Sequence, residues 1–289
     1  PADLRLTHPL AQKSEVTSGA RGGALRVECR VRNNSTDTVA VRVRPRLVGG
    51  SASARRPMEF AALSPWTAVA RRFDWRPPEG AARIEGECEI ETAGTASRAP
   101  QRAPFFLVPR EGARAHVIAG EPALFGGDAA AATACTLEVR LSHDGECLET
   151  VVRARAPLAS PTAAGPEQGT RLVIAADGRP ARRAAPDTLE TGVVRLVLRP
   201  SETGVWASPE VMEGIEAAYR ALPDGGEWRV RLPFAGWCVA RRGPPGEIGL
   251  EIAMILANEG GDERGRVAFS GRRHGDRHPH QFPPAFLLR

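Results

Sequence analysis

Apolar and polar residues alternate with a period of two along most of the chain. Residues 24–32 and 38–48 alternate around the polar run Asn33-Asn34-Ser35-Thr36-Asp37, the pattern of strands with one buried face joined by a turn. Pro45 inside the second run points to an edge or a bulge, since proline has no amide to donate. Residues 67–73 and 82–91 supply further strands. Later, residues 136–141 and 147–154 flank His143-Asp144-Gly145, a hairpin signal, and residues 170–176, 191–198, 266–270 and 282–289 also read as extended. The best-patterned stretch is 227–259. There Trp228, Val230, Leu232 and Phe234 alternate with Arg229 and Arg231, while Ile248, Leu250, Ile252, Met254 and Leu256 share one face of a second strand. The Pro/Gly-rich turn between these strands predicts a central hairpin. One helix is predicted, over 208–221. Ser208 suits its cap, Pro209 its first turn, and Glu210 and Glu213 its positive end, although Gly214 lies inside it.

The fold class predicted is all-β, with two β-sandwich domains. Short strands at regular spacing make 1–109 a sandwich of immunoglobulin-like type, and 110–289 is a second sandwich with one short helix. Trp66 and Trp75 either line a ligand groove or plug the first core. The five cysteines form no C-x-x-C pair, which leaves no zinc or thioredoxin motif. Cys29 and Cys88 read either as an inter-sheet bridge or as two small buried apolar side chains.

Composition narrows the function. The net charge is +5, but nearly all positive charge is arginine spread along strands, and aromatic residues are only 5%. A nucleic-acid binder concentrates its charge and supplies stacking rings, so no nucleic-acid partner is expected. No apolar run approaches the roughly 20 residues that span a bilayer. G-x-S-x-G, H-E-x-x-H, P-loop and dinucleotide motifs are absent, and Asp144 and Glu146 sit in a hairpin turn as solvated carboxylates; no enzyme is expected. Starting at Pro1 without Met or a signal-like segment, the chain reads as a mature product or a piece of a longer protein.

Five segments carry a family resemblance: Phe125-Gly126-Gly127-Asp128; Gln168 to Gly178; Trp228 to Trp237 with its Leu232-Pro233-Phe234; Gly246-Glu247-Ile248-Gly249-Leu250 through Asn258-Glu259; and the closing Phe282-Pro283-Pro284-Ala285-Phe286-Leu287-Leu288. In order and spacing, residues from about 115 to 289 resemble a family 9 carbohydrate-binding module, a β-sandwich related to DOMON-type domains. The resemblance implies that a sugar chain end is held between two facing Trp rings with polar side chains on its hydroxyls. Thr170 stands where the family often has Asp, and 272–281 holds no Trp.

The candidate ligand-binding residues are therefore Trp206, in a polar loop, Trp237, just past a strand end, and Arg273, His278 and Gln281 in the tail. Trp206 is expected as an exposed stacking ring or as packing at a helix end; Trp237 packs under its loop or lines the mouth. Asn258, Glu259 and Asp262 offer oxygen ligands to a calcium ion, with a plain polar turn as the alternative; no other cofactor is expected. The expected protein is a non-catalytic accessory module of an extracellular or periplasmic bacterial protein. It would bind polysaccharide and be joined to other domains of a larger protein, or it would be a structural or protein-interaction module whose sugar site has been lost.

Overall fold

A computed structural model describes residues 10–18, 25–34, 36–48, 58–75, 83–92, 95–99, 105–110, 112–119, 135–156, 169–179, 189, 192–200, 205–208, 213–238, 246–257, 262–269 and 275–288. The chain divides into two compact units, Pro1–Phe105 and Phe106–Arg289.

The first unit contains β1 (Leu10–Ser18), β2 (Leu25–Asn33), β3 (Val39–Val48), β4 (Met58–Leu63), β5 (Ala68–Trp75), β6 (Arg83–Thr92) and β7 (Thr95–Ala99). All pairings are antiparallel, in the orders β1-β2-β5 and β4-β3-β6-β7. β1, β4 and β7 are additions to the strands expected from the sequence. Pro45 faces β6 at Cys88 but lies past Val43, the last residue of β3 paired with β4. Its missing amide thus falls where β3 is locally an edge.

The second unit contains β8 (Phe105–Val108), β9 (Arg114–Ala119), β10 (Thr136–His143), β11 (Cys147–Arg155), β12 (Arg171–Asp177), β13 (Val193–Leu198), β14 (Val205–Ser208), β15 (Glu216–Leu222), β16 (Gly225–Pro233), β17 (Glu247–Ala257), β18 (Glu263–Ala268) and β19 (Pro284–Leu287). One sheet runs β15-β16-β11-β10-β9. The other runs β14-β13-β12-β17; β18 and β19 both pair with β17, and β8 lies parallel to β19. Strand Phe105–Val108 therefore runs with the second unit, four residues ahead of the expected change at Pro109.

The core lies between these sheets. Leu137, Val139, Leu141, Val152, Trp228, Val230 and Leu232 meet Leu172, Ile174, Leu196, Leu250, Ile252 and Met254, all buried. Strands β10 and β16 alternate buried and open positions, as strands with one wet face do. β12, β13 and most of β17 are buried on both faces.

Two expectations change. The 227–259 stretch is no hairpin: β16 pairs with β11 and β15, whereas β17 pairs with β12, β18 and β19. The strands belong to opposite sheets, and the chain crosses the sandwich between them. The predicted helix is absent from the described part of 208–221. Residues 205–208 are the strand β14, Gly214 takes φ +83 in a turn, and residues 216–222 pair with β16. A residue with positive φ ends a helix. Ala217 and Tyr219 then alternate inward from an edge strand, and the Tyr219 ring meets Trp228 at 5.0 Å between centroids.

The Asp144 turn forms as expected. Its carboxylate accepts the amides of Glu146 and Cys147 and a hydrogen bond from Arg231 at 2.8 Å. The Arg231 contact first, and the Cys147 amide next, hold the carboxyl down at about 2. Such a group is no proton donor near neutrality.

Candidate functional site

Register defines a second face on the β14-β13-β12-β17-β18 sheet, away from the core. Trp206 is opposite Val197, which is opposite Val173, then Ala253 and Ala268. The next row holds Ser208, Arg195, Ala175 and Glu251. A third holds Arg171, Ile255 and Arg266. Directly opposed residues share a face, so three arginines that one would expect on a solvated strand, Arg171, Arg195 and Arg266, sit at buried positions here.

Arg195 and Arg266 converge on one carboxylate. Asp276, fully buried, accepts from Arg195 Nε at 3.1 Å and Nη2 at 2.9 Å through Oδ2, and from Arg266 Nη1 through Oδ1. Arg266 Nε also donates to Glu263 at 3.2 Å. Burial alone raises the Asp276 carboxyl, but the charges of Arg266 and Arg195 outweigh it and hold the group below the usual carboxylate range. The anchor lies in a short 3-10 turn, Gly275–Arg277, followed by a second, Pro279–Gln281. Phe282 adds an apolar contact with Ala175 and Val193. The tail is thus strapped across the face that ends in β14.

Each proposed ligand residue can now be located. Trp206 lies on edge strand β14 rather than in a loop, and its ring lies outside the described side chains. His278 and Gln281, both half-buried, belong to the strap on the same sheet face. Arg273 falls outside the described residues. Trp237 is only 2% exposed. Its Nε1 donates to the Pro233 carbonyl, and its ring packs on Phe234, 5.8 Å between centroids. A Cβ on Gly178 would come within 3.0 Å of that ring and 2.7 Å of Cys238 Sγ. This indole packs under its loop and presents no face to a ligand. Trp228 is also core, with its Nε1 donating to Arg199 O at 3.1 Å. Thr170 has a structural partner, since its hydroxyl accepts the Ala257 amide at 3.1 Å and ties β12 to the end of β17.

For calcium, Asn258 and Glu259 lie outside the described residues, and Asp262 is exposed. Among the described residues, no group of three or more His, Cys, Asp or Glu side chains is placed to hold a metal ion. No helix among them is long and apolar enough to cross a membrane. The sequence reading missed the Arg195–Asp276–Arg266 cluster. In the chain these residues sit 81 and 10 positions apart, and only folding joins them.

The second unit has the fold of a family 9 carbohydrate-binding module. It is similar to a module of that family from Caldicellulosiruptor kristjanssonii solved in complex with cellotriose, with TM-score 0.51 and 14% identity, over 64% of this chain and 93% of that one. The structure of such a module from the same organism with glucose gives TM-score 0.50 and 14% identity, over 63% and 95%. No protein-family model matches the sequence, and no curated protein resembles it closely enough to register.

Proposed function

We propose that the second unit binds carbohydrate, as a non-catalytic accessory module of a larger extracellular or periplasmic bacterial protein that acts on or attaches to polysaccharide. The observation that carries this reading is the fold, with the Trp206 strand at the edge of the sheet whose outer face the strap covers. The edge strand bearing Trp206 and the strap bearing His278 and Gln281 belong to one face, and the buried Asp276 cluster sets the strap's position. A pyranose needs an apolar ring to stack on and polar groups for its hydroxyls, and Trp206 with the strap supplies both residue types. The solved modules with glucose and cellotriose support a neutral glucan end as the ligand class. The first unit, with its two antiparallel sheets, is read as an immunoglobulin-like companion domain.

Titration calorimetry with cellotriose tests this. Trp206→Ala is expected to weaken binding at least about tenfold, some 1.4 kcal/mol, while thermal unfolding stays within a few degrees of wild type. Unchanged affinity in a folded variant removes Trp206 from the site.

A second reading has its own observation. β12 and β13 are buried throughout, and among the described residues the second unit exposes no aromatic ring. A wild-type chain that binds neither glucose nor cellotriose would favour a structural module that has lost its sugar site.

A further inference from the structure

Trp66 is 60% exposed, the most exposed large apolar side chain among the described residues, and the only described non-glycine residue with positive φ, at +60°. It occupies the third position of the turn Ser64-Pro65-Trp66-Thr67, closed by the Thr67 amide on Ser64 O at 3.3 Å and the Thr67 hydroxyl on the same oxygen at 2.6 Å. With proline at the second position, this arrangement normally gives the third to glycine. A bulky side chain there costs free energy. So does leaving an indole in water. Neither cost helps the first unit to fold.

The ring has a fixed polar setting. Buried Asn33 ties the neighbouring loop to this turn: its amide donates to Thr67 O at 2.9 Å, and its Nδ2 to Leu63 O at 2.9 Å and Asp37 O at 2.7 Å. Thr36, Asp37, Thr38, Ser64 and Thr67 are exposed on these two segments. Among the described residues only Leu189, in the other unit, is a further exposed large apolar side chain. Among the described residues the ring stands beside hydroxyls, a carboxylate and the small side chains Ala62 and Ala68, without another large apolar side chain of the kind that makes a protein interface. It matches a pyranose ring, which has one C–H face and polar edges.

We propose that Trp66 is a stacking platform for a pyranose ring, a glycan-binding site on the first unit separate from the one on the second. The two sites share only the class of ligand.

Cellotriose titrated into the full chain, followed through the tryptophan indole N–H signals, tests the site, with Trp66→Phe assigning its signal. The expected result is a saturable shift of the Trp66 signal that persists in Trp206→Ala. Trp66→Ala should weaken this binding by about tenfold. Trp66→Gly should weaken it by a similar factor without lowering Tm, since glycine accepts the turn geometry. A Trp66 signal that stays still overturns the proposal, as does a shift that vanishes in Trp206→Ala or a Trp66→Gly chain that melts earlier. Movement of Trp66 alone, with no Trp206-dependent binding, supports this site and rejects the one on the second unit. Movement of second-unit signals alone does the reverse.

Discussion

Asp276→Asn is expected to destabilise the second unit by about 3–5 kcal/mol, because it leaves Arg195 and Arg266 buried without their shared counter-charge. Urea unfolding of the full chain, followed by tryptophan fluorescence, measures the effect, since Trp228 and Trp237 report on that core. The pH dependence has a definite sign. The Asp276 carboxyl titrates lower in the folded chain than in the unfolded one. Its contribution is therefore present above the unfolded value, near 3.9, and is lost as pH falls through the lower folded value. The Asn variant lacks that acid-sensitive part, so the gap between the two proteins narrows towards low pH. A loss below about 1 kcal/mol at pH 7 would mean that the strap is held mainly by Phe282 and its apolar neighbours.

Trp237→Ala is expected to cost about 3–5 kcal/mol, the range for removing a large buried aromatic side chain. It opens a cavity beside Phe234 and Gly178 and frees the Pro233 carbonyl from its indole donor. Trp237→Phe keeps more of the packing and should lose less. Both variants, measured below their unfolding transitions, should bind cellotriose as wild type does. A large affinity loss in a Trp237→Phe chain of near-native stability would return this ring to the ligand site.

Strand positions were legible where one face is wet. In β10 and β16 the apolar residues alternate because water takes every second side chain, and the two-residue period is visible in the letters. Capping residues misled at 208–221. Ser208, Pro209, Glu210 and Glu213 suit a helix start, but Gly214 in a left-handed turn and the Pro223-Asp224-Gly225 turn that follows bracket a strand of only seven residues. Glycine there was the available signal. β17 was legible as a strand yet not by its partners. Its continuous burial, Ile248 to Leu256, differs from the alternation of β16 and marks a strand covered on both sides. The anchoring of the Arg-rich tail was not legible, because local charge density is all that sequence shows. What buries Asp276 is two guanidiniums supplied by β13 and β18.

The separation of β16 from β17 bears on how the second unit assembles. A hairpin closes locally and early, whereas strands in opposite sheets gain their contacts only when both sheets are present. β17 has no β16 to zip onto. It pairs instead with β12, some 80 residues back, and with β18 and β19 ahead. Such distant pairings raise contact order and slow folding. During synthesis this largely apolar strand therefore completes its pairing only once the tail is made, so refolding yield should fall with protein concentration more steeply than for a meander of similar size.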